Sequence, residues 1–109
     1  MATHGIGDFE QLVLLAVLQL GERAYASDIR AAIGAAADRP VTRGALYATL
    51  DRLAAKRLVA WGVEDGPPSR GGIPRRRFRV TAAGLTALRR SYRAVRSLAH
   101  GLERLLGEA

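Results

Sequence analysis

Thr42-Arg43-Gly44-Ala45-Leu46-Tyr47-Ala48-Thr49-Leu50-Asp51-Arg52-Leu53-Ala54-Ala55-Lys56-Arg57 reads as a helix with two unlike sides. Thr42 suits the N-cap, where its hydroxyl accepts an otherwise orphaned N–H, and a helix over 43–57 is predicted behind it. Leu46, Leu50 and Leu53 recur at steps of four and three, which puts one apolar stripe against a core. The other side carries Gly44, Ala48, Asp51, Arg52 and Ala55. Small residues there let the helix approach another surface closely. Arg43 and the positive end of the helix dipole both favour phosphate at its start.

Upstream, Asp8 is placed to cap a helix over 9–20, which Gly21 ends. Its apolar residues run nearly around the circumference, so it is expected to be central and buried. Ser27 is placed to cap a helix over 28–37, with Ile29, Ile33 and Ala36 as its stripe and Asp38-Arg39-Pro40 as its stop. A connection of roughly four residues to the third helix fits a helix-turn-helix pair. Downstream, residues 58–63 and 75–80 read as strands. Arg75, Arg77 and Arg79 alternate with Arg76, Phe78 and Val80, and residues 64–74, with three Gly and three Pro, form a long hairpin loop. Trp61, on the first strand, is expected as a lid over apolar surface.

Thr81 is placed to cap a final helix over 82–106, where Leu85, Leu88, Tyr92, Val95, Ala99, Leu102 and Leu106 follow a heptad seam widened by Leu98 and Leu105. Gly101 lies off the seam and costs about 1 kcal/mol relative to Ala. The expected fold is mainly α: a winged helix-turn-helix of three helices and a two-stranded wing over residues 1–81, then a C-terminal dimerisation helix over 82–109.

The chain has 109 residues and a formal charge of +7. Residues 42–81 hold nine Lys/Arg against three Asp/Glu, whereas residues 1–41 hold three against five. A basic middle on a small domain points to a polyanion. With no cysteine, disulfides and thiolate metal sites are excluded. The apolar run over 12–18 is too short for a membrane span and follows Asp8 and Glu10, unlike a secretory signal. A cytoplasmic location is expected. His4 and His100 stand far apart, no Ser sits in a nucleophile-elbow pattern, and no Lys-Ser/Thr follows Gly71-Gly72. No enzyme, metal or cofactor is expected.

The ordered series of motifs resembles the PadR family of bacterial regulators. It comprises Phe9-Glu10-Gln11-Leu12-Val13-Leu14-Leu15, Tyr25, Gly44-Ala45-Leu46-Tyr47 with Leu50 and Leu53, and Leu58-Val59. Arg70-Gly71-Gly72 and Phe78-Arg79-Val80-Thr81-Ala82-Ala83-Gly84 complete it. The chain departs from the family pattern at Ala26 and Arg57, where Gly is usual, and at Phe78, where Tyr is. The resemblance implies a homodimer that represses transcription and, in many members, a small-molecule effector, expected here at the dimer interface.

Taken together, the residues and the resemblance make Thr42, Arg43, Gly44, Ala45, Tyr47, Ala48, Arg52, Arg70, Arg75, Arg76 and Arg77 the expected contacts to double-stranded DNA. The heptad residues Leu85, Leu88, Tyr92, Val95, Ala99, Leu102 and Leu106 are the expected dimer interface. The leading expectation is a dimeric, sequence-specific repressor. The alternative is an architectural protein that binds nucleic acid without reading sequence.

Overall fold

A computed structural model describes residues 5–107; His4 lies outside them. The elements are α1 (Asp8–Leu20), α2 (Ala26–Ala37), α3 (Arg43–Ala55), β1 (Val59–Glu64), β2 (Arg75–Val80), α4 (Ala82–Ala99) and a single turn, α5 (Glu103–Leu106). Short 3₁₀ turns lie at Gly21–Arg23 and Pro68–Arg70. The order is that of a winged helix-turn-helix, as expected.

Local chemistry sets the boundaries. Asp8 is the first residue of α1, not its cap; Gly7 caps it, and its N–H donates to the Glu10 carboxylate at 2.9 Å. Tyr25 takes the cap position of α2, so Ser27 lies in the first turn. Thr42 caps α3 as predicted, accepting from the Ala45 N–H at 3.1 Å. α3 ends at Ala55, two residues early, because Arg57 turns into the left-handed region at φ 63°. The Leu58 N–H then reaches back to the Leu53 carbonyl and the Arg57 N–H to that of Ala54, both at 2.9 Å. That pattern closes a helix with a left-handed residue, usually Gly. Here an arginine fills it, with its carbonyl accepting from the Thr81 hydroxyl at 2.8 Å.

One core gathers Val13, Leu14 and Val17 of α1, Ile29 and Ile33 of α2, and the full Leu46–Leu50–Leu53 stripe of α3. Leu58, Val59, Phe78 and Leu88 close it from the hairpin and α4. β1 and β2 pair antiparallel from Val59↔Val80 to Glu64↔Arg75. The hairpin is pinned to the start of α2 by a bridge between Tyr25 and Arg77 and by the Phe78 N–H donating to the Ala24 carbonyl at 2.9 Å.

Four expectations are corrected. α1 is not covered all round: Leu15 and Leu18 are exposed on the surface away from the core. Leu88 is only 4% exposed, so the chain's own core takes up this seam residue and it is not free for a partner. The final helix breaks after Ala99. Gly101 adopts φ 87°, which a right-handed helix cannot contain, and its N–H donates to the Glu103 carboxylate at 3.2 Å. Leu102 and Leu106 therefore lie beyond the break, where the heptad spacing no longer describes one continuous face. Trp61, expected as a lid, is 45% exposed.

α4 is seated by contact at its first turn. A side-chain carbon on Gly84 would overlap the Leu58 carbonyl and crowd the Val80 methyl. Gly84→Ala is expected to cost about 1–3 kcal/mol, as overpacking does. The measurement is a lowered urea midpoint with an unchanged m-value; a neutral result would mean that α4 sits further from the hairpin.

Candidate nucleic-acid interface

Burying Leu46, Leu50 and Leu53 fixes the rotation of α3. The opposite surface must then face outward, and Thr42, Arg43, Gly44, Ala45 and Ala48 are all exposed. The hairpin rises beside this surface. Between them runs an open groove of about 530 Å³. Arg30, Arg43, Arg70, Arg75 and Arg76 line it together with the rings of Tyr25 and Tyr47, and no acidic residue does.

Aromatic stacking orients the cations. The Arg75 guanidinium lies 3.6 Å from the centroid of the Tyr25 ring. That of Arg76 lies 4.7 Å from Trp61 and 5.5 Å from Tyr47. Asp51 of α3 approaches Arg76 only at 3.8 Å and is well exposed, so it does little to neutralise it. Arg30 is spent structurally: its Nε donates to the Val41 carbonyl at 3.0 Å, bridging α2 to the turn before α3.

Two expected residues stand apart. Arg52 does not line the groove; its Nε is 3.4 Å from Glu10 and its Nη2 donates to Thr49 at 3.2 Å. Arg77 does not line it either, and is paired with Glu64 at 2.6 Å. The expected set thus divides into Arg43, Tyr47, Arg70, Arg75 and Arg76 around one groove, with Thr42, Gly44, Ala45 and Ala48 on the exposed start of α3. Arg52 and Arg77 are held by carboxylates.

Glu10 and Glu64 carry roles that sequence reasoning did not assign. Glu10, 5% exposed, receives Lys56 at 3.0 Å as well as Arg52, and so clamps α1 to the end of α3. Burial pushes its carboxyl up, but the Gly7 N–H, Lys56 and Arg52 outweigh burial and hold the pKa below the ordinary 4.5. A single carboxylate in an otherwise apolar face was the available signal. Glu64 accepts the Tyr25 hydroxyl at 2.7 Å, and this bond, followed by burial, raises the Tyr25 pKa. Nothing in the spacing of Tyr25 and Glu64, 39 residues apart, announces that contact.

The groove gathers positive charge of the kind that suits anionic groups, and there is no cluster of three or more His, Cys, Asp or Glu for a metal among the described residues. No helix among them is long and apolar enough to cross a membrane. Fold and groove together define a winged helix-turn-helix protein. No protein-family model and no curated protein matches the sequence. Solved structures do. The chain is similar to a PadR family transcriptional regulator from Eggerthella lenta, with 30% identity over 91% of this chain and 84% of that one, at a TM-score of 0.66. It is also similar to a PadR-like transcription factor from Bacteroides fragilis, with 26% identity over 89% and 88%, at a TM-score of 0.68. The chain belongs to the PadR family of transcriptional regulators. It is a DNA-binding transcription regulator and not an enzyme.

The Glu10 clamp has a pH signature. A carboxyl with a depressed folded pKa stabilises fully above its unfolded value and loses that contribution as pH falls through the folded value. Glu10→Gln is expected to cost about 1–2 kcal/mol near neutral pH, the lower part of the range for charged hydrogen bonds because Arg52 and Lys56 keep access to water. The deficit should shrink below pH 4.5. Urea unfolding of both proteins at neutral and acid pH measures it, and a pH-independent deficit would deny the clamp its charge.

Proposed function

We propose that the protein is a dimeric, sequence-specific repressor acting in the cytoplasm. Residues 1–81 read DNA and residues 82–109 join two copies. The observation that carries this reading is the groove between α3 and the hairpin, lined by five arginines and no acid. The start of α3 enters the major groove, which admits one helix. There Arg43, Gly44, Ala45, Tyr47 and Ala48 meet base edges and Thr42 holds the first turn. Arg70, Arg75 and Arg76 take backbone phosphates beside it, positioning the protein while base contacts specify the site.

Tyr92, Val95 and Leu98 support the dimer, since each is more than half exposed on α4. With Leu85 and Ala99, and with Leu15 and Leu18 on α1, they offer an apolar surface for a second copy. Leu88 is omitted because the core holds it, and Leu102 and Leu106 join from beyond the break. A two-fold arrangement sets two recognition helices about 34 Å apart on a near-palindromic site. A small effector at this interface that favours a mismatched spacing releases the DNA.

Fluorescence anisotropy against DNA from upstream of the protein's own gene tests specificity, with a random duplex as competitor. A preference of ~10³ or more is expected; equal affinity would replace the repressor with an architectural protein. Binding should fall by ~10³–10⁵ between about 50 and 200 mM salt for ~6–10 phosphate contacts. Val95→Asp with Leu98→Asp should give a folded monomer with weakened DNA binding. A variant still dimeric by light scattering would remove α4 from the interface.

A further inference from the structure

β2 carries three successive arginines, and the fold treats them differently. Arg77 is held at 2.6 Å by one oxygen of Glu64, whose other oxygen accepts the Tyr25 hydroxyl at 2.7 Å. Backbone bonding joins the same corner, through the Tyr25–Arg77 bridge and the Phe78 N–H to the Ala24 carbonyl. The ring of Tyr25 meanwhile supports the Arg75 guanidinium at 3.6 Å. Tyr25 and Arg75 line the groove; Glu64 and Arg77 do not.

We propose that Tyr25 is a positioning residue for DNA binding, which sets Arg75 as a phosphate contact with its ring while its hydroxyl and Glu64 withdraw Arg77 into a strut for the wing. The inference rests on the DNA-facing reading of the groove and assigns work within it. A flexible arginine loses rotamer freedom when it clamps a phosphate. Stacking it beforehand removes much of that loss from the binding step. An aromatic face holds a guanidinium by its π electrons and leaves the in-plane donors free. The Nε of Arg75 is covered and makes no hydrogen bond, so the terminal nitrogens are the ones left to an anion. Arg77 is differently placed, because a phosphate approaching it meets the Glu64 charge as well. Three adjacent arginines therefore count as two toward the DNA backbone.

The salt dependence of binding counts phosphate contacts directly, with log affinity falling by ~0.9 per contact for each tenfold rise in salt. A short random-sequence duplex is the probe, since the backbone term does not depend on sequence. Arg75→Gln and Tyr25→Leu are each expected to lower the slope by about one contact per chain. The double variant should match Arg75→Gln alone, because the two residues act as one unit. Tyr25→Phe keeps the ring and should keep the slope. Glu64→Gln combined with Arg77→Gln removes a neutral pair and should also keep it. Thermal unfolding and amide exchange at Phe78 confirm that each wing remains folded. Additive losses in the double variant, a full slope in Tyr25→Leu, or a slope lowered by the Glu64/Arg77 pair would overturn the inference while leaving DNA binding in place. An unmodified protein that does not bind the duplex would take the groove's assignment down with it.

Discussion

Burial of Leu46, Leu50 and Leu53 governs the molecule. All three are at most 1% exposed, and each contributes roughly 1.5–3 kcal/mol through the removal of apolar surface from water. A helix held by such a stripe has no freedom to rotate. The surface opposite the stripe, with Gly44, Ala45 and Ala48, is consequently the one that faces outward. The rest of the fold either supplies the floor beneath that stripe, through Val13, Leu14, Ile29 and Ile33, or positions charge beside it.

Two carboxylates then regulate which cations remain available. Glu10 takes Arg52 and Lys56 at the far end of α3, and Glu64 takes Arg77 on the wing. Both act inside the protein, trading positive charge for rigidity. A domain with an excess of arginine does not present all of it outward. What remains around the groove is concentrated by this pairing, so the local field depends less on the net charge of +7 than on where the acids fall.

The C-terminal region shows a division of labour along one helix. Gly84 and Leu88 belong to the packing of the core and hairpin, whereas Tyr92, Val95 and Leu98 emerge from it. The apolar pattern is continuous across this point, although the chain's own core buries only its first part. Periodicity alone therefore could not separate Leu88 from Val95. The break at Gly101 was visible as a residue costly to a helix, but its outcome depended on the backbone reaching φ 87° and on Glu103 accepting the freed N–H.

The order of elements, the inward stripe of α3, the Thr42 and Thr81 caps and the position of β2 were legible in the sequence. Each is decided by interactions between residues a few positions apart, where the helical and strand periods set which side chains share a face. The candidate site was legible as a set of residue types on two elements. The division within it was not. Whether Arg52, Arg75 or Arg77 is left facing the groove depends on Glu10, 42 positions from Arg52, on Tyr25, 50 from Arg75, and on Glu64, which the hairpin brings across to Arg77. Charge pairing acts through space over a few ångströms, so only the tertiary structure could decide which arginines are bound and which are free.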